Sequence, residues 1–373
     1  MGLRDLQTTG LLILLLILPA CSRSATPGFE PTASVSPAPL QPETATFPSA
    51  TPSVLASPTP VSLPGESEPV EPDNAVLLRQ TVEASVENPS RLVWSQDGNL
   101  LALMSGSGLM VLDGKTLAVV SRVEVSEPLY LLDFSPTSGS MATTINQQQV
   151  ELREIVSGQV MRTLGLDFPL ITASYSPDGT LLAISMSDEI AVGLWDVSSG
   201  QLKKELSGFE TAAPVYSGFI GPDGRHFVWQ ARGTVQVMDM ETNEFGPALQ
   251  HEDFVGAAAL SPDGRTLATA AGGTLNGFFQ PLIKLWDAAN GEEVAVMPAG
   301  DSVPGSMCFS PDGRLLVSHD GSRIVLWDVS AGQMIGAVSG HEDAVSSVAF
   351  SPDGMRLASA AYDGTVRLWQ TGP

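Results

Sequence analysis

The tetrapeptide Ser-Pro-Asp-Gly occurs four times, opening at Ser176, Ser261, Ser310 and Ser351, and a tryptophan follows each serine 17 to 25 residues later. Degenerate copies stand between and before them: Ser95-Gln96-Asp97-Gly98, Ser135-Pro136-Thr137-Ser138 and Gly221-Pro222-Asp223-Gly224. The seven starts lie 40, 41, 45, 40, 49 and 41 residues apart. A period of this length means one supersecondary unit, too small to bury its own apolar face, stacked against copies of itself. Repeat architectures act through the surfaces they present, so binding is expected before chemistry.

Within the last unit, Ala344–Ser351 is apolar, Asp353-Gly354 is a turn and Met355–Ala361 a second strand. A second turn at Asp363-Gly364 leads into Thr365–Gln370, which alternates up to Trp369. Asp-Gly suits a two-residue hairpin turn, whose positive φ glycine tolerates and aspartate resists least. Short strands with regular turns and almost no helical periodicity exclude an α/β fold. A sandwich array and a propeller remain.

The triplets that close the units separate these two. Leu194-Trp195-Asp196, Leu285-Trp286-Asp287, Leu326-Trp327-Asp328 and Leu368-Trp369-Gln370 resemble the signature of the WD-repeat family of β-propellers. Val111-Leu112-Asp113, Leu152-Arg153-Glu154 and Val237-Met238-Asp239 hold the same place in the period. The resemblance implies an all-β, seven-bladed β-propeller over residues 75–373. The family also carries a Gly-His before the first strand of a blade, matched by Gly340-His341, and a hydrogen-bonded tetrad that includes this histidine. Its implied members in blade seven are His341, Ser359, Asp363 and Trp369. Blade five matches with His251, Thr269 and Trp286 but has Gly273 where the aspartate belongs.

Seven units counted from these starts lack one strand, because the sequence stops just after the third strand of the seventh. Val76, Leu78, Gln80 and Val82 alternate with Leu77, Arg79, Thr81 and Glu83, the period of a half-buried strand. This segment, about 75–84, is expected to close the ring as the outer strand of the last blade, leaving only short, protected edges.

The N-terminus has a different character. Arg4 precedes the apolar run Leu11–Leu18. That run is too short to span a bilayer, which takes about 20 residues, but suits the middle of a secretory signal. The Leu18-Pro19-Ala20-Cys21 junction resembles the lipobox of bacterial lipoproteins. That resemblance implies a signal peptide over 1–20, diacylglycerol on Cys21, and an extracytoplasmic, membrane-anchored protein of the cell envelope. Residues 22–74 hold twelve prolines and fifteen serines or threonines, so 21–74 is expected to be a lipidated cysteine followed by a disordered tether. Cys308 is expected in a strand interior as a small buried hydrophobe.

A formal charge of −23 argues against nucleic acid and anionic headgroups, which require clustered Lys and Arg. The four histidines, His226, His251, His319 and His341, have no partners at metal-ligand spacing, and no nucleophile or phosphate-loop motif occurs. No cofactor, metal or catalytic residue is expected. The expected function is a non-catalytic protein-interaction scaffold. The alternatives are a propeller that senses a small molecule or carbohydrate in its channel, with Trp229 as the odd aromatic, and a propeller enzyme.

Two features offer a surface for a protein partner. Residues 272–281 lengthen the connection between the second and third strands of blade five and carry Phe278-Phe279. Those rings either dock onto a partner or fold back on the propeller. The connections between blades carry Glu127, Asp167, Glu210, Glu252, Asp253, Asp301, Glu342 and Asp343. By the resemblance, both kinds of connection share the top face, so Phe278, Phe279, Glu252, Asp253, Glu342 and Asp343 are the candidate partner-binding residues.

Overall fold

The computed structural model describes residues 69–106, 108–124, 130–137, 139–186, 192–206 and 215–371. The expected signal peptide, Cys21 and nearly all of the tether lie outside the described residues, as do Glu127 and Glu210.

Each repeat begins on a turn built from its own side chains. In blade five the Ser261 hydroxyl donates to Asp263 Oδ1 at 2.6 Å and accepts the Thr266 N–H at 2.9 Å, while Oδ1 also accepts the Arg265 N–H at 3.1 Å. Only Gly264, at φ 71°, enters the left-handed region. The expected two-residue Asp-Gly hairpin is therefore corrected. Six residues, 351–356, separate the first two strands of blade seven, and the aspartate is selected for its carboxylate rather than for positive φ. Proline pre-sets the preceding φ and glycine supplies the one left-handed residue.

These turns join short strands into seven four-stranded antiparallel sheets. Six sheets run in chain order. The seventh comprises Val345–Phe350, Leu357–Ala361 and Thr365–Thr371, with Leu78–Ser85 outermost. The register runs from Leu78 opposite Thr371 to Ser85 opposite Thr365. Each blade's first strand touches the neighbouring blade around the axis, blade one against blade seven included, and between blades four and five the contact comes from the second and third strands of blade four, which makes a closed seven-bladed β-propeller. The closing strand starts three residues later than its alternation suggests, because Ala75–Leu77 is a 3-10 turn. Asn74 shapes that turn, its Oδ1 accepting the Glu71 N–H at 2.8 Å and its amide donating to the Pro69 carbonyl at 2.9 Å.

The core is divided among the blade interfaces. One cluster joins Leu315, Val317 and Leu326 of blade six to Val348, Leu357 and Trp369 of blade seven, with Val70 and Ala75 from the approach segment. Another joins Leu101 and Leu112 of blade one to Ala358 and Leu368 of blade seven. A sheet buried on both faces reads as an apolar run rather than an alternation, as Leu357–Ala361 does. Stability thus resides in contacts between neighbouring units.

Candidate functional site

Blade seven brings His341, Ser359, Asp363 and Trp369 together. Trp369 Nε1–H donates to Ser359 Oγ at 2.8 Å, Ser359 Oγ lies 2.7 Å from His341 Nε2, and His341 Nδ1 lies 2.9 Å from Asp363 Oδ2. An indole N–H can only donate, so the serine accepts it and gives its own proton to Nε2, leaving Nδ1–H for the carboxylate. Asp363 Oδ2 also accepts the Glu342 N–H at 2.9 Å, and Oδ1 the Thr365 N–H at 2.9 Å. Burial opposes its ionisation, but the Glu342 N–H, Thr365 and His341 outweigh it and hold the carboxyl at about 2. Burial lowers the His341 pKa against the opposing pull of Asp363. The arrangement locks two strands, the turn between them and an inter-blade connection, and it exposes no nucleophile.

Blade five holds half of this network. Thr269 Oγ1 accepts the Trp286 indole N–H at 2.8 Å and lies 2.8 Å from His251 Nε2. His251 Nδ1 is buried without a hydrogen-bond partner.

Residues 272–281 are not a loop. Thr266–Leu275 and Phe278–Asp287 form a regular hairpin closed by Asn276 and Gly277, both at positive φ. It runs four residue pairs beyond Ala271–Leu282, the pair that matches the end of the ladder in blade seven. At about 3.4 Å per residue this adds roughly 14 Å. Asn-Gly is the strongest short hairpin signal, and it marked this turn in the sequence. Phe278 and Phe279 are 74% and 62% exposed, so neither folds back into the core. Adjacent strand residues point to opposite faces, so the two rings do not form one patch. Gly272 gives Phe279 its space, since a Cβ there would stand 2.8 Å from the ring.

The hairpin and the inter-blade connection meet at one end of the blade. Glu252 accepts the Thr274 hydroxyl at 2.8 Å and the Thr274 N–H at 3.2 Å. Asp253 is exposed beside it, and Glu342 and Asp343 are exposed in the corresponding connection to blade seven. Sequence reasoning passed over Phe254, 49% exposed next to Asp253, and Tyr362, 59% exposed in the turn before Asp363.

The profile of the family described as "WD domain, G-beta repeat" matches residues 291–328 and 332–370. Each matched unit opens in the outermost strand of one blade and ends in the third strand of the next, as in Glu293–Pro298 and Arg323–Asp328. Two units within residues 291–370 thus match the WD-repeat profile, and the fold they belong to is a β-propeller. Among relatives, the COMPASS component SWD3 of Saccharomyces cerevisiae is 24% identical over 244 residues, 61% of this chain and 73% of its own length. The WD repeat-containing protein SL1-17 of Schistosoma mansoni is 33% identical over 151 residues, 40% of this chain and 46% of its own. An uncharacterized WD repeat-containing protein of Synechocystis sp., sll1491, is 30% identical over 160 residues, 40% of this chain and 41% of its own. The chain thus spans less than half the length of the last two.

The axial region of this propeller contains a cavity of about 580 Å3 walled largely by apolar groups, including Trp94, Phe219, Met307 and the turn prolines Pro222, Pro262, Pro311 and Pro352. Trp229 does not serve it, being 1% exposed in the cluster between blades three and four. Cys308 edges this cavity, and burial pushes its thiol up to about 12, far from the thiolate range of a nucleophile. Among the described residues no group of three or more His, Cys, Asp or Glu could hold a metal ion. Among them, too, no helix is long and apolar enough to cross a membrane.

Proposed function

We propose that this protein is a non-catalytic protein-interaction scaffold, held on the outer side of a bacterial membrane by lipidated Cys21, with the blade-five hairpin as its principal contact. The observation that carries the docking reading is the exposure of Phe278 and Phe279 on a hairpin tied by Glu252 to an acidic connection. Leaving two phenyl rings in water forgoes about 1.5–3 kcal/mol each. Because the rings lie on opposite faces, the partner must straddle the hairpin rather than rest on one side. Carboxylates at Glu252, Asp253, Glu342 and Asp343 favour a partner with a basic rim and raise its association rate. A relative that is a component of COMPASS supports assembly as the mode of action. The largely apolar axial cavity gives less support to a carbohydrate site, which would need polar groups and a stacking ring. A pull-down from solubilised membranes with the tethered propeller as bait, run beside a Phe278→Ser, Phe279→Ser double variant, tests the proposal. A partner retained by the parent and lost by the variant is expected, and equal retention contradicts it.

A further inference from the structure

Blade five contains a cleft of about 260 Å3 bounded by Gln250, His251, Glu252, Gly273, Leu282 and Lys284. The ladder registers superpose it on the tetrad of blade seven. Thr269 pairs with Lys284 as Ser359 pairs with Arg367, and Ala271 pairs with Leu282 as Ala361 pairs with Thr365. Counted along the strand, Gly273 corresponds to Asp363, although Asp363 lies in a turn and Gly273 in the ladder opposite Gln280, and blade five has no side chain at that position.

Donors face the cleft from His251 and Lys284, and two carboxylates border it, with Glu252 Oε1 4.0 Å from where a Cβ on Gly273 would stand and Asp253 Oδ2 3.1 Å from one on Gly272. Thr269 accepts the Trp286 indole N–H, so its own proton goes to His251 Nε2 and the histidine presents Nδ1–H. The carbonyls of Gly233 and Leu249 lie beside the ring, yet Nδ1 has no partner in hydrogen-bonding geometry. Lys284 gives one of its three N–H groups to Glu293, at 2.8 Å. Glu252, on the wall of the cleft, is turned to Thr274 N and Oγ1. Leaving a buried donor unpaired costs about 1–3 kcal/mol, which an incoming acceptor recovers.

We propose that this cleft receives the carboxylate of an Asp or Glu side chain from a docking protein, which takes the place that Asp363 holds in blade seven. The source of the carboxylate rests on the docking face proposed above; the receptor itself rests only on blade five. The acidic neighbours do not forbid it. Asp363 remains a carboxylate next to Glu342, with Arg367 3.9 Å away, although Thr365, which also bonds it, is replaced in blade five by Leu282. The cleft also adjoins the hairpin base, so a partner that straddles Phe278 and Phe279 passes over it.

Acetate serves as the probe. Imidazole 15N spectra of the full chain, labelled at histidine, are recorded as sodium acetate replaces sodium chloride at constant ionic strength, with His251→Gln to assign the signal. A saturable change at His251 Nδ1 with none at His341 is expected. Gly273→Asp should abolish it by supplying the carboxylate internally; its Cβ would meet the movable Leu282 side chain at 3.0 Å, with Glu252 Oε1 at 4.0 Å. Asp363→Gly should create the same response at His341. No response of His251 to acetate, or an equal response at both histidines in the parent, overturns the receptor. A partner that still needs Phe278 but binds Gly273→Asp as well as the parent overturns the carboxylate contact and leaves the docking face standing. Acetate binding by a chain whose partner ignores both phenylalanines does the reverse.

Discussion

Arg367, on the third strand of blade seven, meets Glu83, on the N-terminal strand, at 3.2 Å across the seam where the ring closes. The same guanidinium donates to Gln80 at 3.1 Å and approaches Asp363 at 3.9 Å. The closing strand is therefore fastened to the tetrad as well as to the sheet ladder. Deleting residues 78–85 should expose the edge of Thr365–Thr371, abolish cooperative unfolding and promote aggregation. Deleting 24–60 should leave the thermal transition where it was. A deletion that reaches Val70 and Glu71 should lower it, because Val70 is buried and its N–H bonds the Gly354 carbonyl, while Glu71 pairs with Arg314. Calorimetry on the three chains checks the order.

The tetrad makes a second prediction. Ser359→Ala strands the Trp369 indole N–H and His341 Nε2 together, and should cost about 1–3 kcal/mol per orphaned group. In blade five, Thr269→Val removes the same two contacts from a network already incomplete. Its cost should be smaller, since His251 can then turn to solvent. Guanidinium midpoints at unchanged slope measure both.

Stability should also fall on mild acidification. Burial lowers the pKa of His341, His251 and His319 below the free value of 6.5. As pH drops, the unfolded chain takes up these protons first, so their contribution is complete above 6.5 and is lost toward the depressed folded values. Each histidine adds a slope of at most about 1.4 kcal/mol per pH unit. Asp363 is depressed as well, so its contribution is complete above the ordinary value of 3.8 and is lost as pH falls from there toward about 2. Denaturant titrations from neutral pH to pH 5 should slope downward in the parent and less steeply in His341→Gln.

Lipid attachment is tested apart from the propeller. Expressed in a bacterium, the parent should incorporate labelled fatty acid and sediment with membranes, and Cys21→Ala should do neither. An alanine variant that labels and fractionates as the parent does would falsify the anchor.

Much of this architecture was legible because the repeat is enforced by short-range chemistry. Ser-Pro-Asp-Gly encodes its own turn, and a 40-residue period leaves little choice of topology. His341, Ser359, Asp363 and Trp369 could be named from the resemblance because their spacing along the repeat is fixed. The hairpin of blade five was missed because Gly272 and Gly273 read as loop residues, although Asn276-Gly277 signalled a turn. The strand survives those glycines because Phe279 lies over Gly272 and Glu252 holds Thr274. Gly273 in place of the aspartate signalled that His251 lacks that partner, but whether another group takes its place could not be read, since it depends on which atoms of other segments approach the ring.

The central claim is that a partner straddles the blade-five hairpin and is steered there by the acidic connections. Binding kinetics of the recovered partner against immobilised propeller test it most directly. Phe278→Ser and Phe279→Ser should each mainly speed dissociation, by about tenfold or more for the loss of about 1.5–3 kcal/mol. Neutralising Glu252, Asp253, Glu342 and Asp343 should mainly slow association, and the difference should vanish as salt shortens the screening length from about 10 Å at 0.1 M to about 3 Å at 1 M. A partner whose rates ignore salt and all six positions binds elsewhere, and the account of this face is then wrong.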